Sequence, residues 1–141
     1  MSFDKKELIK SAFAARENAY APYSRFCVGA AVLCDDGSIV NGCNIENASY
    51  GLTVCAERCA TFKAVSNNKK RFLAIAIVGG LEDEKDLLSD YAYPCGACRQ
   101  VLREFSDPKN MCVLVAKSVD DYKEYTLEEL LPDSFGPDNL N

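Results

Sequence analysis

The 141-residue chain contains no histidine. Without it, neither a Ser-His-Asp or Cys-His catalytic arrangement nor an HExxH metal site can be assembled within the chain. A transition metal here must be held by cysteine or carboxylate. A basic surplus is missing too, because 16 Lys and Arg stand against 21 Asp and Glu, for a net charge of −5. Affinity for polynucleotides comes mainly from cations that neutralise phosphates. The longest basic run is the triplet Lys69-Lys70-Arg71, which reads as a solvated turn. A nucleic-acid partner is therefore not expected. The longest apolar stretch, from Phe72 to Leu81, falls well short of the ~20 residues that cross a bilayer, so no membrane partner is expected either. Met1 to Glu7 shows no apolar segment of the secretory kind, and the expected location is cytoplasmic. With 48% hydrophobic and 26% charged residues the composition is that of an ordinary globular protein, and the length suits one domain over residues 1–141.

Cysteine, by contrast, is plentiful: residues 27, 34, 43, 55, 59, 95, 98 and 112. In a chain without a visible secretory signal these read as reduced thiols serving as core residues, metal ligands or nucleophiles.

Asp4-x-x-Glu7 predicts a helix start, and Leu8, Ile9, Ala12, Phe13 and Ala19 recur at helical spacing to about Tyr20, before Pro22. Residues 26–34 and 38–43, split by Asp35-Asp36-Gly37, predict a β-hairpin. An Ala-rich helix is expected over 55–65. The apolar run 72–78 predicts a strand covered on both faces. An acidic loop over 82–90 follows, then a turn that becomes a helix over 94–105. Strands over 111–116 and 122–125, a short helix capped by Thr126-x-x-Glu129, and a loop tail complete the chain. The order α-β-β-α-β-α-β-β-α calls for a mixed sheet with helices packed on it.

Two segments carry chemistry: Cys55-Ala56-Glu57-Arg58 and Pro94-Cys95-Gly96-Ala97-Cys98-Arg99. Taken alone, the CxxC, with a glycine that lets two thiolates converge from one turn, is equally a zinc half-site or a redox dithiol. Its neighbours favour zinc. Both segments precede helical patterns, so the thiolates sit near helix N-termini, where backbone N–H groups and the dipole favour negative charge. Three sulfurs from two helix starts make a tetrahedral site with one open position, as catalytic zinc requires. Glu57, two residues from Cys55, reaches that position without being a ligand, an arrangement suited to hydrolytic attack. Three thiolates leave the centre net negative, and Arg58 is placed to hydrogen-bond a sulfur and offset that charge. Cys59 lies one helical turn from Cys55 and is a rival ligand by spacing; it is read as a small core residue.

With these two motifs, and with Ala21-Pro22-Tyr23-Ser24-x-Phe26-x-Val28-Gly29-Ala30-Ala31, Gly42-Cys43-Asn44-Ile45-Glu46-Asn47-Ala48 and Glu128-Glu129-Leu130-Leu131-Pro132 in order over nearly the whole chain, the sequence resembles the small homotetrameric cytidine deaminases. The resemblance implies a single-domain, three-layer α/β fold with a mixed five-stranded sheet and helices on both faces. It implies one Zn²⁺ per chain on Cys55, Cys95 and Cys98, with hydroxide formed there attacking C4 of cytidine or deoxycytidine and Glu57 shuttling protons. It further implies that Asn44 and Glu46 hold the ribose hydroxyls, that Phe26 packs on the base, and that Ala48, Tyr50 and Phe135 serve a neighbouring subunit's pocket. Pyrimidine salvage is the cellular role implied. The rival reading is a zinc deaminase of another aminopyrimidine nucleoside, such as a nucleoside antibiotic. Two departures from the family pattern stand out: Cys59 where Thr or Ser is usual, and a longer, more acidic 82–90 segment.

Overall fold

The computed structural model describes residues 2–141. Helix α1 spans Lys5–Arg16, and Asp4 caps it by accepting from the Glu7 N–H at 3.1 Å. Strands β1 (Phe26–Cys34) and β2 (Ile39–Cys43) form the expected hairpin, turning at Gly37, whose φ of 88° suits a residue without a Cβ. Helix α2 (Ala56–Ser66), β3 (Phe72–Leu81), α3 (Gly96–Glu104), β4 (Cys112–Ala116), β5 (Tyr122–Thr126) and α4 (Leu127–Leu130) follow. The five strands make one sheet in the order β2-β1-β3-β4-β5. Only β3 and β4 run parallel, joined through α3; the other pairs are antiparallel. This is the mixed sheet the sequence calls for.

Strand alternation divides the interior into two layers. One face carries Ala30, Val32, Ile75, Ile77, Val113 and Val115 against α2, α3 and α4. The other carries Ala31, Ala74, Ala76, Val78 and Leu114 against Leu8, Ile9 and Ala12 of α1. The alanines on the α1 side let that helix sit close to the sheet, and Gly29 marks the closest approach. A Cβ there would lie 1.9 Å from the Ala12 carbonyl oxygen and 2.7 Å from the Arg16 nitrogen. Because both neighbours are backbone, relief requires moving the helix. Gly29→Ala is expected to destabilise the fold by about 3 kcal/mol, read as a lower urea midpoint. Gly51→Ala, where an added Cβ meets nothing within 4 Å, should leave that midpoint in place.

Arg16, buried at the end of α1, donates to the carbonyls of Cys27, Gly80, Leu81 and Glu84 at 2.7–2.9 Å. It thereby ties the start of β1 to the end of β3 and the acidic segment. That segment is also fastened from within, since Glu84 accepts from the Leu81 and Ser89 N–H groups and from the Ser89 hydroxyl.

Besides shifts of a residue or two at element ends, the structure departs from expectation at four places. Helix α1 ends at Arg16 because Tyr20 is drawn into a bridge with Ile45, donating to the Asn44 carbonyl at 3.0 Å. Strand β3 runs on through Gly79 and Gly80, which lie opposite Val28 and Cys27. Short 3₁₀ turns occupy Tyr50–Leu52 and Pro137–Asn139, the latter within the expected loop tail.

Candidate active site

Cys55 is the N-cap of α2 and Cys95 the N-cap of α3, both in extended backbone conformation. Cys98 follows within the first turn of α3 and is fully buried. The two helix starts meet so that the three Sγ atoms lie within 4.8 Å of one another. Cys55 and Cys95 are 3.9 Å apart, and Cys95 and Cys98 are 3.4 Å apart. A tetrahedral zinc with Zn–S bonds of ~2.3 Å has sulfur–sulfur edges of ~3.8 Å, so the group fits that ion. Cys59 is outside the group, half-buried on α2. Gly96 does less than its sequence position suggests. It is an ordinary first helical residue with no positive φ and open space around it, so convergence of the thiolates comes from the N-cap geometry of Cys95.

Charge at the site follows from this packing. The Cys55 thiol is drawn down to about 5, first by the hydrogen bond from Cys98 and next by Arg58. Cys98 moves the other way, holding its proton against Cys55 and in a buried position. Arg58 Nη2 donates to Cys55 Sγ at 3.5 Å, while its buried Nε has no partner among the described residues. Glu57 is 4% exposed. Burial pushes its carboxyl up to about 7, and the Cys55 charge acts in the same direction. Three converging sulfurs able to hold a cation, beside a buried and protonatable carboxyl, are the parts of a metal-assisted hydrolase.

The remaining predicted residues are placed by the adjoining strands. Ile45 bridges Val54, which puts Asn44 and Glu46 beside the residue that precedes Cys55. Asn44 is buried, with Oδ1 accepting from the Val28 N–H at 3.0 Å and Nδ2 donating to the Phe26 carbonyl at 2.8 Å. Among the described residues its second Nδ2 N–H has no partner. Phe26 opens β1 opposite Leu81, its ring close to Gly79, and Gly79 in turn faces Ala92, three residues before Cys95. Glu46 and Tyr50, with Tyr23, Ser24 and Thr53, line a cavity of about 350 Å³. Ala48 and Phe135 do not line it. Tyr50 is 74% exposed and Phe135 59%, the latter on the C-terminal segment that Gln100 and Arg103 of α3 hold through Phe135 O, Ser134 and Asp138.

Two contributors carry no signal of their own in the sequence. Arg99, adjacent to Cys98, donates to the Pro94 and Leu130 carbonyls at 2.8 and 2.6 Å, fixing the turn that presents Cys95. Ser24 contacts both Glu46 and Phe26. Only its place among the motif residues pointed to it.

Known proteins share this sequence and this fold. The sequence model of the cytidine and deoxycytidylate deaminase zinc-binding region matches residues 2–115. The cytidine deaminase of Halalkalibacterium halodurans is 50% identical over 138 residues, covering 98% of each chain. The crystal structure of cytidine deaminase from Burkholderia pseudomallei superimposes with a TM-score of 0.82 at 44% identity, covering 96% of this chain and all of that one. That of the Mycobacterium tuberculosis enzyme gives 0.79 at 41% identity, with 96% and 99% covered.

Proposed function

The chain belongs to the zinc-binding cytidine and deoxycytidylate deaminase family, and from that premise we infer that it is a zinc enzyme that hydrolyses cytidine to uridine and ammonia. The C4–N bond breaks, a C4–O bond forms, and water supplies the oxygen. The observation that carries this reading is the three-sulfur group with a buried carboxyl two residues from one of its members. Cys55, Cys95 and Cys98 would hold the metal, and zinc there supplies the acidification of water that attack on an aromatic carbon needs.

The protein's own residues do the rest. Glu57 takes the proton released from water, passes it to N3 as charge builds on the ring, and later delivers a proton to the departing amine at C4. Its burial keeps bulk water from exchanging that proton. Arg58 partly neutralises the sulfurs. Glu46 and the free N–H of Asn44 take sugar hydroxyls, and Phe26 packs on the base. We extend the substrate to deoxycytidine, because Glu46, with three of its four lone-pair sites occupied, needs only one hydroxyl. The relatives described above are all named cytidine deaminases, which disfavours another aminopyrimidine nucleoside as substrate.

We read residues 1–141 as a single deaminase domain that acts as a homotetramer, in which exposed Ala48, Tyr50 and Phe135 complete a neighbouring copy's pocket. A cytoplasmic role in pyrimidine salvage fits a nucleoside substrate. Among the described residues no helix is long and apolar enough to cross a membrane. The deciding experiment follows the ultraviolet spectrum of cytidine after adding protein of known zinc content. Conversion to the uridine spectrum at about one zinc per chain is expected. An unchanged spectrum with zinc fully loaded would reject the substrate. Sedimentation of an active monomer would reject the tetramer.

A further inference from the structure

Glu46 is held by Tyr23 and Ser24, two motif residues to which the resemblance assigns no role. The Tyr23 and Ser24 N–H groups donate to its Oε1 at 3.0 and 3.1 Å, and the Ser24 hydroxyl donates to its Oε2. The same hydroxyl accepts from the Phe26 N–H at 3.0 Å. One oxygen thus joins the carboxylate read as a sugar contact to the backbone of the residue read as the base contact. Such double duty requires a group that both donates and accepts at short reach, which a serine or threonine hydroxyl supplies.

The surrounding turn is stiff. Arg25 sits in the left-handed region at φ 62°, a conformation that costs energy for any residue with a Cβ and persists only where neighbours impose it. Its N–H donates to the Ala21 carbonyl at 3.0 Å, and its own carbonyl accepts from the Glu82 N–H at 2.8 Å. Its guanidinium reaches Glu82 at 3.3 Å. Ser24 therefore stands on a fixed platform. The terminal torsion of a glutamate is otherwise broad, and among the described residues the hydroxyl is the one side-chain partner that orients Oε2.

We propose that Ser24 is a positioning residue for sugar recognition, locking the Glu46 carboxylate in register with Phe26. This rests on the reading of Glu46 as acceptor for a sugar hydroxyl, so Glu46→Ala is measured beside it. The cysteine group has no hydrogen bond to Ser24; the effect falls on binding rather than on the chemistry at C4.

The test compares competitive inhibition by uridine and by 2′,3′-dideoxyuridine, with kcat for cytidine measured on the same zinc-loaded samples. Ser24→Ala should weaken uridine about tenfold, the value of one hydrogen bond to a charged group, and leave the dideoxy compound and kcat within about twofold. Ser24→Thr, which keeps a hydroxyl, should restore most of the uridine affinity. Equal weakening of both inhibitors would mean general loosening of the turn and would overturn the proposal. So would an unchanged Ser24→Ala beside a Glu46→Ala that loses its preference for uridine, with the Glu46 reading then intact. A Glu46→Ala that keeps the preference would remove the sugar contact itself, and the proposal with it.

Discussion

Glu57→Gln is expected to lower kcat for cytidine by at least about 10³-fold while zinc content stays at one per chain. General acid–base groups contribute ~10²–10⁴-fold per role, and Glu57 is assigned more than one proton transfer. Glutamine has the same shape and reach but cannot carry a proton to N3 or to the departing amine. It should not disturb the fold. The side chain is 4% exposed, and replacing a buried ionisable group with a neutral isostere removes a desolvation cost. Nor should it remove the metal, because the three sulfurs that would hold it lie within 4.8 Å of one another and Glu57 is not among them. Zinc analysis, thermal unfolding and turnover on one sample separate these effects. Retention of more than a tenth of the wild-type kcat would remove Glu57 from the proton path.

How much of this was legible beforehand depends on the range of the interaction. The N-cap positions of Cys55 and Cys95 follow from local pattern, because a helix start needs only its own first turn to be recognised. The capping box of Thr126 and Glu129 is local in the same way, and both of its hydrogen bonds are present. The layers follow from strand alternation. What the sequence hides is long-range capture. Residues 17–19 suit a helix as well as those before them, yet the chain leaves α1 because Tyr20 pairs with residues 44–46. Gly79 and Gly80 look like strand breakers. They are instead points of close approach, to Ala92 and Phe26 for one and to Glu84 and Leu88 for the other. Ser24 and Arg99 look like surface polar residues until their partners, 22 and 31 positions away, are known. The acidic 82–90 segment, read from sequence as a loop longer and more acidic than the family pattern, folds Glu84 back onto the Leu81 N–H and is pinned by Arg16.

Cys98→Ala should abolish zinc binding, and Cys59→Ser should not, although both thiols are close in sequence to a proposed ligand. Cys98 is fully buried and pairs with Cys95 at 3.4 Å, so its loss leaves two sulfurs from two helix starts and a void between them. Even outer partners of a ligand are worth ~10–100-fold in metal affinity, and loss of a ligand itself should exceed about 100-fold. Zinc content after dialysis then falls below about a tenth of an equivalent, and turnover falls with it. Stability reports the same event independently of activity. A ligand that binds only the folded state raises Tm by an amount that grows with the logarithm of its affinity, so a chelator should lower the wild-type Tm toward that of Cys98→Ala and leave the variant's own Tm unmoved. Cys59 lies on the same helix face as Cys55 by spacing but outside the sulfur group. Its serine variant should keep stoichiometric zinc, chelator-sensitive Tm and turnover. A Cys59→Ser protein that folds but loses zinc would place the fourth cysteine at the metal. The open coordination position on which hydrolysis depends would then be filled by protein.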